Sequence, residues 1–307
     1  MENRRRPVQA HMGAEVRGVQ DHLQEADRSD WEQVLIQELL ETFASPDYHP
    51  PLLPGAALQL LALSRDPSVA FSKVIALLQS EPLIAARVIR IAQSPIYSGG
   101  ARILSIEDAL LRLGIKAIAL VFAEAAMNAR IFSSTVFQEP MQLLRRHSAA
   151  TAHISSRLAQ RLGQPGERLY LSGLLHDIGI AACLLVAPDL RSASGQGFSF
   201  EELCGPIHAV HERAAGVLGS IWELPEGLRW GLVHHHDFVL RSHVSPIPAL
   251  VCLASWIATE AGAGSIAAES AGDAAAAAAD YFGWGNDLEQ LLDLGGSIID
   301  EMDKGEG

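Results

Sequence analysis

The sequence predicts an all-α fold in two lobes, on three grounds. Ala and Leu dominate a chain in which 49% of residues are apolar and only 6% aromatic, a balance that favours helix packing over sheet. Apolar residues recur at helical spacing, and prolines fall where helices would begin. At 307 residues the chain exceeds one average domain, so two lobes are the natural division.

Each segment supports that reading in turn. Residues 1 to about 28 are polar and aperiodic, an arm outside the packed body. Trp31, Leu35, Leu39 and Leu40 then define one short amphipathic helix, a lid on that body. Ser45-Pro46-Asp47-Tyr48-His49-Pro50-Pro51 cannot continue a helix and marks a boundary. From Leu52 to about Phe132 the pattern is helical, with Asp66-Pro67 and Glu81-Pro82 placing proline at or near a first helical position. Ser105 is the expected N-cap of the next helix, with Asp108 three residues on. Ile106, Ala109, Leu110 and Leu113 form its buried stripe, and Gly114 ends or bends it. Ile118, Val121, Phe122 and Ala125 make a second apolar face, read as core, with self-association as the other use of such a face. Ser98-Gly99-Gly100 reads as a turn, not a phosphate cradle, and no glycine fingerprint follows a strand. The expected divisions are an arm and helix at 1–45, a helical lobe at 46–138, a second helical lobe at 139–262, and an extension at 263–307. The alanine tract Ala274 to Ala279 prolongs a helix or sits at a flexible join, and the acidic tail from Asp300 to Gly307 is expected to fray.

Composition excludes several classes of function. A formal charge of −13 disfavours direct nucleic-acid binding, which needs clustered Lys and Arg against phosphate. No uninterrupted apolar stretch reaches the ~20 residues of a membrane span, so no membrane partner is expected. The basic start Met1-Glu2-Asn3-Arg4-Arg5-Arg6 lacks the apolar segment of a signal peptide. Cys183, Cys204 and Cys252 are odd in number and widely spaced, which fits no disulfide scaffold and points to a reducing cytoplasm.

The chemistry gathers near the middle, where an apolar run breaks into Gly173-Leu174-Leu175-His176-Asp177-Ile178-Gly179. Neighbouring side chains on a helix point in different directions, so His176 and Asp177 share a centre only if it lies beside the helix, as a metal ion does. His147 upstream, and His211 and His234-His235-His236 downstream, are the further candidates. Imidazole with carboxylate suits iron, manganese or zinc. Two readings of the pair stand: a metal site, or a relic in which Asp177 accepts hydrogen bonds from helix ends and His176 is a core histidine. The 234–236 run has its own alternative as a polar helix end, with His234 facing away from the other two and into solvent. His11, His22, His49, His153, His208 and His243 have no motif around them and read as surface or local hydrogen-bonding residues. Trp222 and Pro225 read as packing and turn residues.

Two sets of motifs carry a family resemblance. The first runs from Asp66-Pro67 through Ser80-Glu81-Pro82-Leu83 and Ile89-Arg90-Ile91-Ala92-Gln93-Ser94-Pro95 to Ile103-Leu104-Ser105-Ile106-Glu107-Asp108-Ala109 and Leu113-Gly114. The second comprises the Gly173–Gly179 run, Trp222-Glu223-Leu224-Pro225 and His235-His236. In that order, over roughly residues 45 to 260, the chain resembles the HDOD domain, a bacterial signalling module related to HD-type metal-dependent phosphohydrolases. The resemblance implies an all-helical, two-lobed architecture with an HD-like C-terminal lobe. It also implies a regulatory role exercised through other signalling proteins, without an agreed catalytic activity.

Kinship with HD and HD-GYP phosphohydrolases further implies a ligand set: His147 as the isolated first histidine, His176 and Asp177 as the paired ligands, His211 as a third histidine, and His235 with His236 as the paired histidines of dinuclear sites. The departures are as informative. Ser255 stands where the closing aspartate belongs, with Asp237 the remote substitute. Ile180 stands where HD-GYP enzymes carry a phosphate-binding lysine, and Asp237-Phe238-Val239 replaces the Gly-Tyr-Pro element. Arg145, Arg146 and Arg157 are the nearest cations in sequence that could replace the lysine. The expectation is therefore a non-catalytic signalling module, able to associate with itself, with a degenerate site that retains divalent-metal ligands and no assigned catalytic residue. A metal-dependent phosphohydrolase acting on a nucleotide or phosphodiester is the alternative.

Overall fold

The computed structural model describes residues 30–306 apart from 52–54, 67, 94–104, 133, 135, 165, 191–194, 241–242, 265 and 267–271. The expected arm, His11, His22, Pro67 and the Ser98-Gly99-Gly100 turn lie outside the described residues. The fold is all-α, with one two-residue antiparallel pairing, Val239–Leu240 (β1) against His243–Val244 (β2).

The first lobe is built from α2 (Gly55–Leu63), α3 (Phe71–Gln79), α4 (Pro82–Ala92) and the first part of α5 (Ile106–Arg130). Pro82 occupies the first turn of α4, where its missing N–H costs no helical hydrogen bond. Ser105 caps α5 by accepting from the Asp108 N–H at 2.9 Å. Gly114, at φ 77° and ψ 167°, is not helical and joins two helical segments of α5 across a kink. Beyond the bend the helix serves two cores. Ile118, Val121, Phe122 and Ala125 join the core of the first lobe, whereas Leu120 and Met127 face the core of the second.

The second lobe contains α6 (Gln138–Arg161), α7 (Gly166–Leu175), α8 (Ile178–Val186), α9 (Phe200–Ile221), α10 (Glu226–Val233) and α11 (Pro246–Glu260). A complete capping box, Ser199 with Glu202, starts α9. The amphipathic helix α1 (Asp30–Ala44) buries Leu35, Leu39 and Phe43 in this lobe's core, against α9. Gly166–Asp189 is long and apolar enough by composition to cross a membrane, but 89% of that window is buried within the fold and His176 and Asp177 interrupt it.

The C-terminal expectation needs correction. The tail does not fray at Asp300: α13 (Leu288–Glu306) is helical to Glu306. It packs on α6 and α11, and α12 (Gly272–Phe282), which contains the alanine tract, packs on α11. Buried Ile298 and Ile299, and the Arg146–Asp303 ion pair at 2.9 Å, explain why so acidic a segment stays ordered. The acidic residues ride on an amphipathic helix whose apolar face is covered.

Candidate metal centre

Two glycines make the centre possible. A Cβ at Gly173 would press on the Thr151 carbonyl and the Ala152 backbone, so α7 reaches α6 only with glycine there. A Cβ at Gly179 would overlap the His211 carbonyl, which sets the spacing of α8 against α9. Between them, His176 and Asp177 occupy the two-residue break between α7 and α8, held against both neighbouring helices. Apolar residues on either side seal the break: Leu174, Leu175 and Ile178 are all buried.

The imidazoles are aimed by the backbone. Nδ1 of His147 contacts the Ala263 carbonyl at 2.8 Å, and Nδ1 of His176 contacts the Gly173 carbonyl at 2.8 Å. Nδ1 of His211 meets the His208 carbonyl at 2.8 Å, and Nδ1 of His235 meets the Leu232 carbonyl at 3.0 Å. A carbonyl only accepts, so each of these four Nδ1 atoms donates. In a neutral ring, each Nε2 is then a bare lone pair. All four Nε2 atoms point at Asp177: His176 and His147 lie 3.1 and 3.8 Å from Oδ2, and His235 and His211 lie 3.3 and 3.9 Å from Oδ1. His236 Nε2 lies 3.0 Å from His211 Nε2.

The six expected residues therefore converge, as two ligand groups that share Asp177. One comprises His147, His176 and Asp177, and the other Asp177, His211, His235 and His236. His147, His176, Asp177, His211 and His235 are buried, and His236 is half-buried. Burial opposes ionisation of Asp177, whereas charge on His176 and hydrogen bonds from His176 and His235, each of which requires a proton on Nε2, would hold its carboxyl well below the usual range. Burial, followed by the neighbouring His236, pushes His235 well below the ordinary imidazole range, so its ring is neutral.

That combination tests the fit of a cation. With Nδ1 committed to backbone carbonyls, the buried Nε2 atoms of His176 and His235 have no hydrogen-bond partner despite their closeness to the Asp177 carboxyl. Lone pairs converging on an anion repel unless a proton or a metal lies between them. The backbone carbonyls that fix the tautomers are the outer shell usual for ligating histidines. The residues fit a divalent metal.

A family model for the HDOD domain matches residues 51–238, which contain all six of these residues. The chain belongs to the HDOD family. Among solved structures it is similar to an HDOD domain protein of unknown function from Geobacter sulfurreducens, at 21% identity and TM-score 0.64, covering 88% of this chain and 98% of that one. It is also similar to a Shewanella amazonensis protein whose name provisionally assigns it to metal-dependent phosphohydrolases, at 22% identity and TM-score 0.67, covering 89% and 100%. At such identities the likeness shows the shared fold. An uncharacterised Treponema pallidum protein is 22% identical over 198 residues, 61% of this chain but 37% of that protein's length. The chain thus spans little more than a third of that relative.

The departures anticipated for this HDOD chain have clear structural outcomes. Ser255 does reach the centre, where its hydroxyl lies 3.1 Å from His147 Nε2. Because the His147 proton is on Nδ1, the hydroxyl donates to the bare nitrogen. Ile180 is buried in the apolar core and brings no charge. Asp237 is exposed and belongs to neither ligand group, so it does not replace the missing aspartate. Arg146 is engaged by Asp303 and the Gly262 carbonyl. Arg157 lies beside His153, lining a cleft with residues of α5 and α7.

Three other histidines differ from their surface assignment. His153 is buried, and burial followed by the Arg157 charge pushes its pKa down to about 3. It packs edge-on against Tyr170, whose hydroxyl donates to buried Glu124 at 2.5 Å. His208 is half-buried and stacks on His211. His234 does turn away from its neighbours, but onto Trp230 at 4.0 Å instead of into solvent.

Sequence reasoning missed Glu212. Its Oε1 accepts the His236 backbone N–H at 3.3 Å and lies 3.6 Å from His235 Nδ1, so it steadies the turn that carries both histidines. The only signal was its place directly after His211.

Proposed function

We propose that this protein is a non-catalytic signal-transduction module whose output is contact with other signalling proteins, conditioned by a divalent metal at the His/Asp centre. One observation carries the metal: a buried Asp177 carboxyl surrounded by imidazoles whose Nε2 atoms all face it. His211, His235, His236 and Asp177 would hold one ion, and His147, His176 and Asp177 a second, with iron, manganese or zinc suited to such nitrogen-rich sets.

Two features support a regulatory role over turnover. A bound metal would acidify a water and polarise a phosphoryl oxygen, but hydrolysis also needs a positive group for the developing charge. Buried Ile180 and the engaged Arg146 supply none. Ser255 in turn withholds a negative ligand from the His147 side. What remains for the chain's own residues is to hold a cation and to fix the relative positions of α6, α8, α9 and α10.

The phosphohydrolase reading keeps one supporting observation, the paired ligand groups sharing a carboxylate. Elemental analysis of untagged protein prepared without chelator separates the possibilities when paired with a bis(p-nitrophenyl) phosphate assay. One or two metal equivalents that vanish in Asp177→Ala, the ligand common to both groups, with no hydrolysis, is the expected result. Metal-dependent hydrolysis would overturn the non-catalytic reading, and a chain that stays metal-free after reconstitution would overturn the metal.

A further inference from the structure

Between the lobes, away from the His/Asp centre, lies a crevice of 380 Å³, within the range of small-molecule sites. Its walls come from both lobes. Leu61, Ser64 and Arg65 close it at the end of α2, and Lys116 and Leu120 of α5 continue that wall. Opposite stand Glu167, Arg168 and Leu171 of α7, with Pro225 and Leu228 at the start of α10.

The crevice is electrostatically unlike the rest of the chain. In a protein of net charge −13, three of its lining residues are cationic and one is anionic. Lys116 and Glu167 neutralise one another across the lobes at 3.2 Å. That leaves Arg65 from one lobe and Arg168 from the other. Among the described residues, neither guanidinium is paired with a carboxylate. The Arg168 guanidinium lies against Gly227 in the first turn of α10, where a Cβ would meet it. Leu61, Leu120, Leu171 and Leu228 supply apolar lining in the same crevice.

We propose that this crevice binds a small organic dianion, a phosphate monoester on a planar or apolar body of nucleoside monophosphate size. Two guanidiniums match the two charges of a phosphate monoester, and their forked donors suit its oxygens better than an ammonium does. The leucine lining receives the body. Since the two arginines belong to different lobes, the ligand ties the lobes together, which gives the module an input distinct from its metal.

The test is isothermal titration calorimetry of the full chain, with chelator present so that coordination to metal plays no part. AMP and 1-naphthyl phosphate are the probes, with adenosine and inorganic phosphate as their halves. At least one probe is expected to bind at one per chain, at least about tenfold more tightly than either half. Arg65→Ala and Arg168→Ala each weaken it by about tenfold, without altering helical content. Gly227→Ala, which displaces the Arg168 guanidinium, weakens it as well. Absence of binding by both probes below about 1 mM, or affinity indifferent to both arginine substitutions, would overturn the proposal.

Discussion

His147 and Ser255 meet across the centre, with the serine hydroxyl 3.1 Å from the imidazole Nε2. That contact makes the two ligand groups unequal. The Asp177, His211, His235, His236 set has four donors, whereas the His147, His176, Asp177 set has three and a neutral hydroxyl beside them. Ser255→Asp restores an anionic donor, and metal content per chain is expected to rise towards two equivalents by elemental analysis. Unchanged content would mean that the His147 side does not take a metal.

Metal occupancy should appear in stability, because the ligands assemble only in the folded chain. At metal concentrations about 100-fold above Kd the gain is about 2.7 kcal/mol, or roughly 5–10 °C in Tm for a domain of this size. Chelation should remove it, and Asp177→Ala, which takes a ligand from both groups, should lack both the gain and the response to chelator in a thermal scan.

Gly179→Ala places a methyl group into the His211 carbonyl. A backbone obstacle gives way poorly, so the expected cost is about 3 kcal/mol, with lower metal affinity because α9 carries His211. Denaturant unfolding and metal titration on the same sample check both effects.

His153 gives a pH dependence of known sign. Its pKa falls from 6.5 in the unfolded chain to about 3 in the fold, so between those values the unfolded state holds a proton that the native state lacks. Stability contributed by the neutral ring is complete above pH 6.5 and is lost as pH falls towards 3. The slope is at most about 1.4 kcal/mol per pH unit. His153→Leu should flatten this component. The difference in urea-unfolding free energy between the two proteins at pH 7 and pH 5 measures it.

Much of the centre was legible because its residues are punctuated. The Gly173 and Gly179 flanks, the His-Asp pair and the double histidine each break an otherwise apolar helical pattern, and the helical periodicity itself set the fold class. Glu212 was not legible, since its role depends on the turn at His235-His236 reaching α9, a contact between segments far apart in sequence. His153 misled for a similar reason. It packs against Tyr170, which is held by Glu124, and neither is near it in the chain. The tail was misread because acidity was weighed above the apolar stripe of α13, and the Arg146 partner of Asp303 lies 157 residues away.

The break between α7 and α8 gives the centre a mechanical meaning. Its ligands come from positions 147, 176–177, 211 and 235–236, four stretches of chain with no cystine among them. An ion held there acts as a removable rivet through the hub of the lobe, closing loops whose restraint a small secreted protein would assign to disulfides. With such an ion, the stiffness of the lobe would follow the supply of free cation, and a starved protein would differ from a replete one in compliance before it differed in shape.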